Sequence, residues 1–234
     1  MNDALSALLS DLRREAGWEN SSGATNAALA IAQLEGEEPI KALVTELERV
    51  DRIDLTEDAG DMGDEVWRTR QAIEAGLIAM GARAVKFCAP LLHSASMSGR
   101  DRVLARVCAK GKATRVFPVL EAWLQNDDDS SQNTAIDCLG ELGDERGRAL
   151  IRKALEKPIE LNAGWRKRIA AGALAKLQDA EALHVLLDDS DWFARLGVME
   201  AVKHLQNAHD RAQLIARGKT DVDERVRKEA NGAP

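Results

Sequence analysis

"SSQNTAIDCLGELGDERGRALIRKALEK", Ser130 to Lys157, decides the fold. Ala135, Cys138, Leu139 and Leu142 recur at steps of three and four residues, the spacing of one apolar helix face. Gly143-Asp144 then interrupts the pattern: glycine ends a helix in the left-handed region without steric cost, and the acid after it is placed to cap the next helix. Ala149, Leu150 and Leu155 open a second apolar stripe. The stretch predicts helix, tight turn, helix.

The outline recurs along the chain. "DEVWRTRQAIEAGLIAMG" (Asp64–Gly81) and "DSDWFARLGVMEAVKHLQ" (Asp189–Gln206) lay Trp67 on Trp192, Arg70 on Arg195, Ile73 on Val198, Leu77 on Val202 and Met80 on Leu205. Copies fall at about 22–50, 64–95, 98–126, 130–157, 161–187 and 189–219, with a last half-repeat at 221–231. A hairpin of this size does not bury its own apolar face, so neighbours must stack and share a core. The expected fold is therefore all-α: a right-handed α-solenoid of about six antiparallel helix hairpins. Residues 1–20 form its N-terminal capping helix and 21–234 the repeat array.

Three features resemble the HEAT-repeat superfamily in its short bacterial, phycobilisome-lyase-like (E–Z type) form. They are "A-x-x-C-L-x-x-L-G-D" from Ala135 to Asp144, "I-A-A-G-A-L-A-K-L-Q-D-A-E-A-L" from Ile169 to Leu183, and a first-helix position that is basic in five of six copies. That position is held by Arg70, Arg100, Gln132, Lys167, Arg195 and Arg227. The resemblance implies that such bases form a ladder of structural hydrogen bonds to turn acids. Asp144 and Asp179 fit that turn position, whereas Ala82 and Asn207 depart from it and leave some bases for another use.

Composition agrees with a helical, cytoplasmic protein. Aromatics are 3%, tyrosine is absent and 30% of residues are charged. No apolar run approaches the roughly 18 to 20 residues that span a bilayer, and the start lacks a basic leader. Cys88, Cys108 and Cys138 form no C-x-x-C pair and read as small core residues. Charge is banded: residues 66–118 carry 2 acids and 10 bases, and 119–145 carry 8 acids and no base. Banding suits distinct electrostatic patches better than a uniformly basic nucleic-acid surface.

No phosphate-binding loop, dinucleotide fingerprint or nucleophile elbow occurs. His204 and His209 are five apart, off the shared face that two helical metal ligands need, and none of the four histidines is followed by Glu. The acidic stretch Asp51–Glu65 departs from calcium-loop spacing and reads as a loop between repeats. No metal or cofactor is expected and no catalytic residue is nominated; an enzyme, if this were one, would be bilin-lyase-like.

Trp67, Trp165 and Trp192 occupy nearly one place in their repeats, at the start of the first helix. Each either staples the preceding turn or joins an aromatic row open to a partner; Trp123 reads as core. The leading expectation is a non-catalytic protein-interaction scaffold with an unidentified protein partner. Its candidate surface comprises these tryptophans, the first-helix bases Arg70, Arg100, Lys167 and Arg195, and the second-helix bases Arg148, Arg152 and Lys153, set against acids such as Glu46 and Glu48. The unpartnered last helix allows self-association through the C-terminal end. One alternative is a bilin lyase or lyase subunit, with propionates held by Arg70, Arg100 and Lys167. Another is HEAT-like DNA binding through Arg100, Arg102, Arg106, Lys110, Lys112 and Arg115; the flanking acid bands argue against nucleic acid, and no membrane partner is expected.

Overall fold

The computed structural model describes residues 3–16, 21–54, 63–93, 98–157 and 163–233, and these form helices and no strand. In chain order the helices are α1 (Asp3–Ala16), α2 (Ser21–Ala32), α3 (Glu38–Asp54), α4 (Gly63–Ala79), α5 (Ala82–Cys88), α6 (Gly99–Lys110) and α7 (Phe117–Trp123). They continue as α8 (Asp129–Leu142), α9 (Arg146–Glu156), α10 (Ala163–Lys176), α11 (Ala180–Leu187), α12 (Trp192–Ala201), α13 (Ala208–Gly218) and α14 (Glu224–Gly232). The chain divides into two compact units, Met1–Val119 and Leu120–Pro234, the boundary falling inside α7 and so inside the copy read at 98–126.

Local sequence explains where these helices begin and end. Gly143 takes the left-handed conformation, φ 72°, and its N–H donates to the Leu139 carbonyl to close α8. Asp128, Asp179, Asp191, Asn207 and Asp223 each accept a backbone N–H at the start of the following helix, from Ser131, Ala182, Phe193, His209 and Arg225 respectively. Each such cap satisfies a donor that the helix itself leaves unpaired.

Within the first unit, α2 packs between α1 and α4 and α4 meets α6, while α3 lies against α4 and α6 as a second layer. Leu12, Ile31, Leu43, Leu47, Ile73, Leu77 and Leu104 fill the space between the layers and are fully buried. Within the second unit, α8, α10, α12 and α14 stack in succession, and α11 and α13 accompany them. Ile136, Leu139, Leu174, Leu183, Val198 and Leu214 form that core, and Trp123 is wholly enclosed. Each unit is thus all-α, built from hairpins whose apolar faces are covered by the next hairpin. All three cysteines are buried free thiols, and burial pushes Cys88 and Cys108 up to about 12, so both stay protonated.

The first helices approach each other at glycines. A β-carbon on Gly140 of α8 would lie 2.5 Å from the Ala173 Cα of α10, and one on Gly197 of α12 would lie 2.7 Å from the Arg168 Cα of α10. Backbone meets backbone there with no room for a side chain.

Candidate functional site

The second unit carries an aromatic ledge on α10 and α12. Trp165, in the first turn of α10, is 49% exposed, and it stacks on Phe193 with ring centroids 6.0 Å apart and planes at 19°. Trp192 meets the same Phe193 edge-on at 5.2 Å. The Arg168 guanidinium lies 4.6 Å from the Phe193 centroid and 5.7 Å from that of Trp165. Glu200 holds this guanidinium through two bonds of 2.6 Å. Arg225, fixed to Asp223, lies 3.2 Å from the Trp192 centroid. Cations over ring faces are attracted by the negative π surface. The rings are therefore held in place while Trp165 still presents apolar area to solvent.

Sequence reasoning named Trp165 and Trp192 but missed Phe193, Arg168 and Arg225. The signals existed. Phe193 follows Trp192 directly, and Arg168 stands three residues after Trp165, on the same side of the helix. Trp67, at 57% exposure, belongs to the first unit, at the start of α4.

The repeated bases form a ladder, though with different acids from those the turns suggested. Lys167 pairs with Asp189 at 2.6 Å. Arg195 makes a two-pronged bond to Asp221 at 2.8 and 2.9 Å, and also donates to the carbonyls of Asp189 and Ser190. Arg227 donates to the carbonyls of Asp221 and Val222. In the first unit Arg70 pairs with Asp51 at 2.7 Å, and Arg100 with Glu48 at 2.9 Å and with Asp101. In the second unit the receiving acids lie in the turn between repeats, where a base from each side reaches them. Asp144 instead holds Arg146, and Asp179 holds Arg152. The three bases nominated for bilin propionates, Arg70, Arg100 and Lys167, all have carboxylate partners within the chain.

Second-helix bases are similarly engaged. Arg148 donates to the Leu177 carbonyl at 2.7 Å, and Arg152 binds both Asp179 and Glu181. Burial works to raise the Asp179 carboxyl, but Arg152 and the Ala182 N–H hold it below its ordinary value. Lys153 is exposed. Glu46, nominated as a surface acid, is 2% exposed and clasped by Arg13 of α1 and Arg49. Of the bases nominated for DNA, Arg106 pairs with Glu74 at 3.5 Å.

Among the described residues no group of three or more His, Cys, Asp or Glu is placed to hold a metal ion, and no helix is long and apolar enough to cross a membrane. Within the acidic stretch Asp51–Glu65, residues 55–62 lie outside the described residues.

Residues 132–157, which are α8 from its second turn and α9, match the family model described as the PBS lyase HEAT-like repeat. The chain carries a HEAT-like repeat. This HEAT-like repeat is the hairpin closed by the left-handed Gly143. A comparison with curated proteins gives no match. Among solved structures, the crystal structure of an engineered protein from the Northeast Structural Genomics Consortium is similar over 100% of this chain and 67% of its own. Identity is 20% and the TM-score 0.43. A second engineered protein from the same consortium is similar over 100% of this chain and 95% of its own, at 19% identity and a TM-score of 0.31.

Proposed function

We propose that this HEAT-like protein is a non-catalytic protein-interaction scaffold and that the aromatic ledge of its second unit is a docking surface. The observation that supports this most is Trp165: half exposed, yet fixed by Phe193 below it and by an arginine that Glu200 holds still. A pre-ordered aromatic loses little conformational freedom on binding, which is why tryptophan is enriched at the energetic centres of interfaces. The repeated bases serve chiefly to clasp one repeat to the next, which leaves recognition to what projects beyond the ladder.

The test begins by capturing partners on the immobilised full chain and reconstituting each candidate as a purified protein. Trp165→Ser should weaken a true complex by about 10-fold or more, as expected for a hot-spot tryptophan, with the helical circular dichroism unchanged. If every reconstituted partner binds wild type and variant equally, the ledge is not the docking surface.

A further inference from the structure

Residues 75–119 carry eight bases and one acid, Asp101. Asp101 is fully buried beside Ser98 and Arg100, so this stretch presents no carboxylate at the surface. On it, α5 and the turn after α6 enclose an open depression of about 440 Å³. Ala82, Val85 and Ala113 give it an apolar part, and Lys86, Lys112 and Arg115 border it. All three bases are exposed. Arg115 Nη2 donates to the carbonyls of Val85 and Lys86 at 3.4 and 3.3 Å, long bonds to neutral acceptors. Those bonds place the guanidinium without cancelling its charge. The turn is seated tightly, since a β-carbon on Gly111 would lie 2.2 Å from a Val85 methyl.

We propose that this depression binds an acidic segment of a partner protein, with carboxylates between Lys86, Lys112 and Arg115 and a small apolar side chain against Val85 and Ala113. Guanidinium and ammonium groups around one hollow favour clustered carboxylates through charge-assisted hydrogen bonds. Nucleic acid fits less well. Arg83 ties this edge to the preceding turn by donating to the carbonyls of Ala32 and Leu34, and that turn exposes Glu35 and Glu37. A polyphosphate track would run from the bases onto those acids, whereas a compact acidic cluster stops short of them. The site is independent of the aromatic ledge and does not rest on it.

The experiment is fluorescence anisotropy of a short labelled peptide of alternating Glu and Ala, titrated with the full chain at low salt. Binding should saturate, weaken as salt rises, and fall about 10-fold, equivalent to about 1.4 kcal/mol, in a Lys86→Gln, Lys112→Gln variant whose helical circular dichroism is intact. Arg52→Gln, which removes an exposed base of α3, should leave binding unchanged. The proposal is overturned by any of four results: no saturable binding, equal binding by the double variant, equal weakening by Arg52→Gln, or tighter binding of a labelled DNA duplex lost in the same double variant.

Discussion

Arg195 is 10% exposed and its partner Asp221 7%, so their two-pronged bond is shielded from water. Removing one member of such a pair leaves the other charge buried without its partner, which costs about 3 to 5 kcal/mol. Arg195→Met should therefore lower stability by about 3 kcal/mol in urea unfolding, and Asp221→Asn by a comparable amount. Loss below about 1 kcal/mol, the range of an exposed pair, would show the bond to be solvated. The basic position was legible from its recurrence along the sequence. Its partner was not, because the acid lies 26 residues away, past the hairpin turn of its own copy, where Asn207 stands in place of an acid. A repeat pattern gives the period of a ladder, and only the stacking distance says which rung is reached. Glu46 illustrates the same limit: an acid on a helix surface reads as exposed until another helix, here α1 with Arg13, covers it.

At the scale of the helix, hairpin boundaries were readable because caps are local: Gly143 and the Asx residues at 128, 179, 191, 207 and 223 act within four residues of themselves. The closeness of neighbouring first helices was not readable, since a glycine inside a helix looks the same whether it faces solvent or a backbone. That difference makes a prediction of sign. Gly140→Ala places a methyl 2.5 Å from the Ala173 Cα and should destabilise by about 1 to 3 kcal/mol through overpacking. Gly172→Ala in α10 meets no atom within 4 Å and should stabilise by about 0.5 to 1 kcal/mol through helix propensity. Thermal melts of the two variants check the contrast; a shift in the same direction for both would refute the close-approach account. The aromatic ledge is an element-scale feature as well. Two of its rings were visible as repeated tryptophans, and Arg168 stands three residues after Trp165 as Arg70 and Arg195 do after Trp67 and Trp192, but Arg225 comes from α14 and belongs to no such motif.

For the whole molecule, the acids with depressed pKa values set the response to pH. Hydrogen bonds from Arg195 hold Asp221 below the ordinary carboxylate range, those from Arg146 do so for Asp144, and Arg225 brings Asp223 to about 2. A carboxyl depressed in the folded state contributes stability above its unfolded pKa, near 4, and loses it as pH falls through the folded value. Stability should accordingly be flat from pH 7 to about 5 and decline from about pH 4 toward 2. Helical circular dichroism in moderate urea measures this, and added salt should shift the decline only modestly for the shielded Arg195–Asp221 pair. A decline centred near pH 6 would contradict the assignment. The ladder itself has a genetic implication. Lys167 reaches an acid at the start of the next repeat, and Arg195 does the same, so each of these two copies of the second unit carries a base for the acid that opens its successor. A tandem duplication of such a segment closes its new junction with parts it already carries, and chain length can change by copying without inventing an interface.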